Sequence, residues 1–295
     1  MNGPRLPLMP TESNASPVVL SIAGFDPSGG AGLIADVRTF IAFGCRPAAA
    51  MTSLTFQNSA RFGGALHQSA DSLRAQILPV VKEFRITAVK IGMLPTPALV
   101  LELVRLLRET QMPAPVIDPV LRSSSGYELM EPEAREAWLI ELMPMARLIT
   151  PNIPEAEVLT GKPIANESDM RAAANKLREM GARAVLIKGG HLEQRSEIRG
   201  QRSAQPGANE PQAIDLLDDE GAVTVFRGDW IDAPPVRGTG CMLSAAIAAG
   251  LAHGMNLPES VGAAKRFVAD AIRYAAQLDP DPVRMDLTEM TVLKR

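Results

Sequence analysis

Residues 88–120 read AVKIGMLPTPALVLELVRLLRETQMPAPVIDPV, and this stretch decides the architecture. "AVKIGM" (88–93) and "APVIDPV" (114–120) are short runs in which apolar residues do not alternate with polar ones. Strands covered on both faces read this way. Between them, "ALVLELVRLLR" (98–108) places Glu102, Arg105 and Arg108 three apart, a single polar stripe on a largely apolar helix. A strand, a helix and a second strand make one unit of a parallel sheet.

The unit repeats. "VVLSIAG" (18–24), "AAAMTSL" (48–54), "RLIT" (147–150) and "AVLIKGG" (184–190) have the same texture, with helical patterns between them. The predicted fold is α/β, with a mostly parallel central sheet and helices on both faces. "AIDLLDDEGAVTVFRG" (213–228) predicts two strands around the turn "DDEG", and two helices follow, at about 239–254 and 258–277. Residues 191–212 are polar, Gly/Pro/Gln-rich and without period, which predicts a mobile loop or lid. No linker composition divides the chain, so the expected organisation is a flexible tail over 1–16 and a single domain over 17–295.

Composition narrows the function. The chain has 295 residues, 46% of them hydrophobic, with a formal net charge of −3, which is enough apolar content for a full core. No basic stripe with interleaved aromatics is present, which argues against nucleic acid. Cys45 and Cys241 are the only cysteines, too few for a disulfide framework or a metal cluster, and they fit a reducing compartment. The first residues, MNGPRLPLMPTESNASP, lack an apolar run of signal-peptide length, and no stretch is long enough to span a bilayer. A cytoplasmic protein with no membrane partner is expected.

Five motifs fall where a strand ends or a helix starts. In "GTGC" (238–241), Gly238 and Gly240 let the backbone approach a ligand and Thr239 adds a hydroxyl. The apolar helix that follows offers unpaired amides and partial positive charge, a phosphate site whose field is expected to lower the Cys241 thiol pKa. The same four residues also read as a plain helix-start turn with a small buried cysteine. "AGFDPSGGAGLIAD" (23–36) is a glycine-rich turn after the first strand, and Asp36 on the next helix reads by itself as a surface carboxylate. Asp118 in "VIDPV" and Asn152 and Glu155 in "TPNIPEAEVLTG" lie just beyond strands. The two carboxylates suit Mg²⁺, and each residue also suits a helix cap or turn. Lys188 in "IKGGH" either snorkels at the sheet edge or reaches a phosphate.

Together, "SIAGFDPSGGAGLIADVRTFIAFG", "KIGML", "DPV", "ITPNIPEA", "IKGGH" and "GTGCMLSAAIAAGLA" resemble, in order and spacing, the hydroxymethylpyrimidine (phosphate) kinases of thiamin biosynthesis. That family belongs to the ribokinase-like superfamily. The resemblance runs from about residue 18 to 275 and implies a three-layer sandwich that uses ATP and Mg²⁺ and pairs as a homodimer. It implies that Gly24, Asp36, Gln57, Met93 and Val120 line a pyrimidine site. Asp118, Asn152 and Glu155 would organise Mg²⁺ and phosphates, mostly through water. Lys188 would neutralise the transferring phosphoryl group, Gly238, Thr239 and Gly240 would form its anion hole, and Cys241 would help remove the substrate proton. Because phosphoryl transfer rests mainly on positioning and charge, that last role carries the least weight.

The chain departs from the family pattern at Val236 and Arg237, where threonine and histidine are usual, and at Met242, where threonine is usual. Phe25 replaces a small hydroxyl residue and is expected to reshape the pocket mouth. Arg237 reads as a phosphate-facing cation or a solvated one. The implied activity is ATP-dependent phosphorylation of 4-amino-5-hydroxymethyl-2-methylpyrimidine, with its monophosphate as a second substrate. Pyridoxal kinase, with a hemithioacetal on Cys241, competes with it, and a catalytically silent pyrimidine-binding protein is a further reading. His191 and His253 look isolated, and Cys45 reads as packing.

Overall fold

The computed structural model describes residues 16–58, 61–123, 126–190, 212–231, 233 and 236–277. The expected tail up to residue 15 and the expected loop up to residue 211 lie outside the described residues.

A nine-stranded sheet organises them in the order β3-β2-β1-β4-β5-β6-β7-β8-β9. Its strands are β1 (Val18–Phe25), β2 (Arg46–Gln57), β3 (Phe62–His67), β4 (Ile86–Ile91), β5 (Val116–Ile117), β6 (Leu148–Ile149), β7 (Ala184–Gly189), β8 (Gln212–Asp219) and β9 (Ala222–Asp229). Strands β2, β1, β4, β5, β6 and β7 are parallel neighbours, while β3, β8 and β9 pair antiparallel at the two edges. The hairpin β8–β9 is the one read from the sequence. The edge strand β3 was not predicted, because FGGALH carries two glycines and little β-branched character. The β5 ladder is shorter than its apolar run because Pro115 and Pro119 flank it and donate no hydrogen bond.

Successive strand residues point to opposite helical layers. Leu20, Ile117, Ile149, Val185 and Ile187 enter one core. That core is built with α2 (Ala70–Glu83), α3 (Pro97–Thr110), α4 (Pro132–Ala137) with its continuation through Met145, α5 (Ile153–Thr160) and α6 (Glu167–Glu179). Val19, Val116, Leu148, Ala184 and Leu186 enter the other core, with α1 (Gly32–Ala42), α7 (Thr239–Ala252) and α8 (Leu257–Gln277). This double burial is why the central strands are apolar throughout, each fully buried Leu or Ile contributing about 1.5–3 kcal/mol. Helix α7 lacks a polar stripe for a similar reason: Met242 to Gly250 are all buried. A Cβ on Gly250 would lie 2.9 Å from Ser260 Oγ, so only glycine lets α8 pack this closely.

Cys45 is buried, as expected, but His253 is not isolated: its Nε2 lies 3.4 Å from Cys45 Sγ and 2.8 Å from the Phe43 carbonyl. Among the described residues, no helix is long and apolar enough to cross a membrane.

Candidate active site

Strand β1 has β2 on one side and β4 on the other, and the chain reaches them in opposite directions across the sheet. Such a switch point opens a crevice at the carboxyl ends of the parallel strands, where open sheets of this kind bind ligands. Gly24, Met93, Asp118, Asn152 and Lys188 all lie at those ends.

Lys188 does not snorkel at the edge. Strand β7 is paired on both sides, and Lys188 Nζ lies 2.7 Å from Asp118 Oδ1, with its side chain only 14% exposed. Thr150 Oγ1 donates to the same carboxylate oxygen at 3.1 Å. Burial opposes both charges, but each charge sustains the other. Lys188 is held above its ordinary range by Asp118 and Glu155, and Asp118 is held below its own by Lys188 and Lys90. Asn152 caps α5 and forms a capping box with Glu155: Glu155 N–H donates to Asn152 Oδ1 at 2.9 Å, and Asn152 N–H donates to Glu155 Oε2 at 2.8 Å. Burial, reinforced by Asp118, pushes the Glu155 carboxyl up to about 7.

The two glycine motifs interlock across the crevice. Gly238 is the N-cap of α7 at φ 76°, and no side chain caps that helix. A Cβ on Gly238 would lie 2.0 Å from the Gly30 carbonyl oxygen, so the turn meets the first glycine loop backbone to backbone. A Cβ on Gly240 would lie 3.2 Å from Lys188 Nζ and 3.7 Å from Asp118 Oδ2. The uncapped start of α7 therefore opens beside the lysine–aspartate pair, an arrangement suited to an anion.

Asp36 is not on the surface. It is fully buried, with Oδ2 accepting from Lys90 Nζ at 2.8 Å and from Ser21 Oγ at 2.5 Å, while Oδ1 has no hydrogen-bond partner. Burial raises the Asp36 carboxyl against the pull of Lys90. Lys90 would be depressed by burial alone, but the charges around it hold it high. Cys241 overturns the expectation drawn from its helix terminus. Burial pushes its thiol up, and Asp36 and Asp118 add to the rise. The attraction of Lys90 and a hydrogen bond from the Gly32 backbone only partly offset this. A charged thiolate loses more by leaving water than the helix end returns.

Near the end of β1, a Cβ on Gly24 would touch Met93 Sδ at 3.1 Å, which brings two of the expected lining residues together. Met93 also borders a cavity of about 430 Å³ with Phe62, His67, Pro95 and Arg135. Val120 is tied into the turn after β5, its N–H donating to the Asp118 carbonyl at 2.9 Å. Gln57 ends β2, and its Oε1 accepts from Arg237 Nη2 at 2.9 Å. The Arg237 guanidinium is therefore tied to the protein, with its side chain 20% exposed.

Known proteins are similar to this chain in sequence and in fold. The sequence profile of the family described as phosphomethylpyrimidine kinase matches residues 26–285. The chain belongs to that family. The kinase is 38% identical, over 263 residues, to the hydroxymethylpyrimidine/phosphomethylpyrimidine kinase of Streptomyces coelicolor, a match covering 89% of this chain and 91% of the relative. The crystal structure of phosphomethylpyrimidine kinase from Clostridium difficile is similar at TM-score 0.73 and 35% identity, covering 87% of this kinase and all of that chain. An ADP complex of Bacillus subtilis pyridoxal kinase is similar at TM-score 0.77 and 31% identity, covering 94% and 100%. The ribokinase-like sandwich read from the motifs is thus the fold of the kinase, and ATP is its phosphoryl donor class.

Several residues of the site were not read from the sequence. Ser21 in β1 and Lys90 in β4 are buried partners of Asp36, and Thr150 braces Asp118. Gly32 is needed because a Cβ there would strike the Gly24 carbonyl at 2.2 Å. Met242 is 2% exposed and simply fills the core beneath α7.

Proposed function

We propose that this kinase transfers the γ-phosphoryl group of ATP to the hydroxymethyl oxygen of 4-amino-5-hydroxymethyl-2-methylpyrimidine, and then phosphorylates the resulting monophosphate. The observation that carries this reading is the convergence of Lys188 and Asp118 on Gly240 at the uncapped start of α7. A bond forms between the hydroxymethyl oxygen and the γ-phosphorus as the bond from that phosphorus to the ADP oxygen breaks. Lys188 and the amides of Gly238, Thr239 and Gly240 stabilise the negative charge on the moving group. Gly24, Met93 and Val120 line the ring site, with Asp36 buried beneath it against Lys90 rather than in contact with the ring, and Gln57 meets the ring edge with an amide that carries both donor and acceptor. With its thiol protonated, Cys241 orients the hydroxyl, and the hydroxyl proton leaves late, to the phosphoryl oxygens or to solvent.

Mg²⁺ fits the donor set. The site offers carboxylate oxygens, with Asp118 Oδ2 turned toward Gly240, and no cluster of three or more acidic, His or Cys ligands occurs among the described residues. A cation that keeps most of its waters and binds phosphates needs no more than this. Asp118 and Glu155 would hold it through water with Asn152 nearby, and the cation would neutralise charge on the nucleotide phosphates.

Coupled measurement of ADP release tests the reading. Turnover that depends on the aminopyrimidine, with kcat/KM well above that for pyridoxal, is expected, and turnover no faster than ATP alone would sink it. Pyridoxal is the second substrate to try, because the Bacillus subtilis pyridoxal kinase shares the fold at 31% identity. We further propose a single kinase domain over 17–295 acting as a cytoplasmic homodimer, with its mass in solution checked by sedimentation.

A further inference from the structure

We propose that Arg237 is a specificity-determining positioning residue, which locks the Gln57 amide in one orientation and so decides which edge of the substrate ring the kinase accepts. The inference rests on the reading that Gln57 meets the ring.

A guanidinium has donors and no acceptor, so the Gln57 atom 2.9 Å from Arg237 Nη2 must be the carbonyl oxygen. The outer torsion of a glutamine is soft and nearly two-fold, so a free amide would present oxygen or nitrogen almost indifferently. Three anchors keep the guanidinium in place. It donates to Gln57 Oε1 and to the Asn58 carbonyl at the end of β2, and its Nη2 lies 3.8 Å from Asp26 Oδ2. Asp26 is 1% exposed, and that oxygen has no hydrogen-bond partner, so Arg237 is the charge that compensates it. Ser28 binds the other oxygen through N–H and Oγ, which fixes the carboxylate on the glycine loop.

With one lone pair of Oε1 taken, Gln57 offers Nε2–H as a donor and one remaining lone pair in a set order along the ring edge. A nitrogen heterocycle with a ring acceptor beside an exocyclic amine matches that order. A pyridine whose ring nitrogen has no amine beside it, as in pyridoxal, accepts from Nε2–H but leaves the remaining Oε1 lone pair without a donor.

Kinetics on Arg237→Ala, Gln57→Ala and the double variant test the lock, using the aminopyrimidine alcohol and pyridoxal as substrates. Arg237→Ala is expected to raise KM for the aminopyrimidine roughly tenfold, in line with one hydrogen bond to a charged group. It should narrow the preference over pyridoxal while leaving kcat and the ATP KM within about twofold. In the Gln57→Ala background the same change should add almost nothing, because the two act as one unit. Arg237→Gln keeps a donor without the charge and should recover part of the KM. Arg237→Lys keeps the charge beside Asp26 without the fork and should behave like alanine, which keeps the test open if Arg237→Ala does not fold. Full additivity, or a rise confined to the ATP KM, overturns the lock and leaves the Gln57 reading standing. An unchanged KM in Gln57→Ala overturns both.

Discussion

Lys90 Nζ lies 2.8 Å from Asp36 Oδ2, and both side chains are wholly shielded from water. The pair sits under the crevice, close enough for Lys90 and Asp36 to act on the Cys241 thiol. Removing one partner strands the other charge in the core. Lys90→Met is therefore expected to cost about 3–5 kcal/mol of stability, measured by urea unfolding. A double change to apolar residues should recover much of that loss.

Gly238 should tolerate no side chain. Its φ is 76°, and a Cβ would lie 2.0 Å from the Gly30 carbonyl, with backbone rather than a flexible side chain in the way. Gly238→Ala is expected to push the two glycine loops apart and lower kcat on the order of a hundredfold. Far-ultraviolet dichroism should stay nearly unchanged, because the sheet lies below the loops.

Asp118→Asn leaves Lys188 short of its closest counter-charge. The magnesium concentration for half-maximal rate should rise about tenfold, as for a lost outer-sphere partner. Glu155→Gln keeps an acceptor for the Asn152 amide and should shift the same midpoint less.

Both thiols should alkylate slowly, Cys45 because it is buried and Cys241, which is only half-buried, because its thiol is pushed up. Burial raises Cys45 from 9.0 to about 11 and also pushes Cys241 up. At pH 7 the folded protein should label with iodoacetamide more slowly than the urea-unfolded chain. An acid with a raised folded pKa stays protonated longer when folded, so its contribution is intact below about pH 9 and is lost as pH climbs toward 11. Cys45→Ala should flatten that alkaline fall in stability. Cys241→Ser, keeping a protonated donor, should lower kcat less than Gly238→Ala does.

The alternation rule made most of the fold readable. Leu148 and Ile149 face opposite cores, so their run had to be apolar throughout. The helix over 98–108 announced itself by one polar stripe, and α7 by an apolar run behind two glycines. β3 stayed hidden because its two glycines carry no pattern. In the site, the motif residues were readable singly, whereas their couplings were not. A lysine inside β4 gives no hint of an aspartate on α1, and Arg237 gives none of Gln57. The thiol of Cys241 shows the cost of arguing from a helix end alone, since the sign of its shift is set by enclosure from strands and loops distant in sequence.

The contact between Gly30 and Gly238 joins a turn made early in synthesis to one made very late. A nascent chain that has finished β1 through β7 possesses most of its sheet, with Lys188 and Asp118, but not the amides of 238–240 that complete its phosphate cradle. Catalytic competence should therefore arrive in one step, when α7 leaves the ribosome, and fragments ending before it should transfer no phosphoryl group.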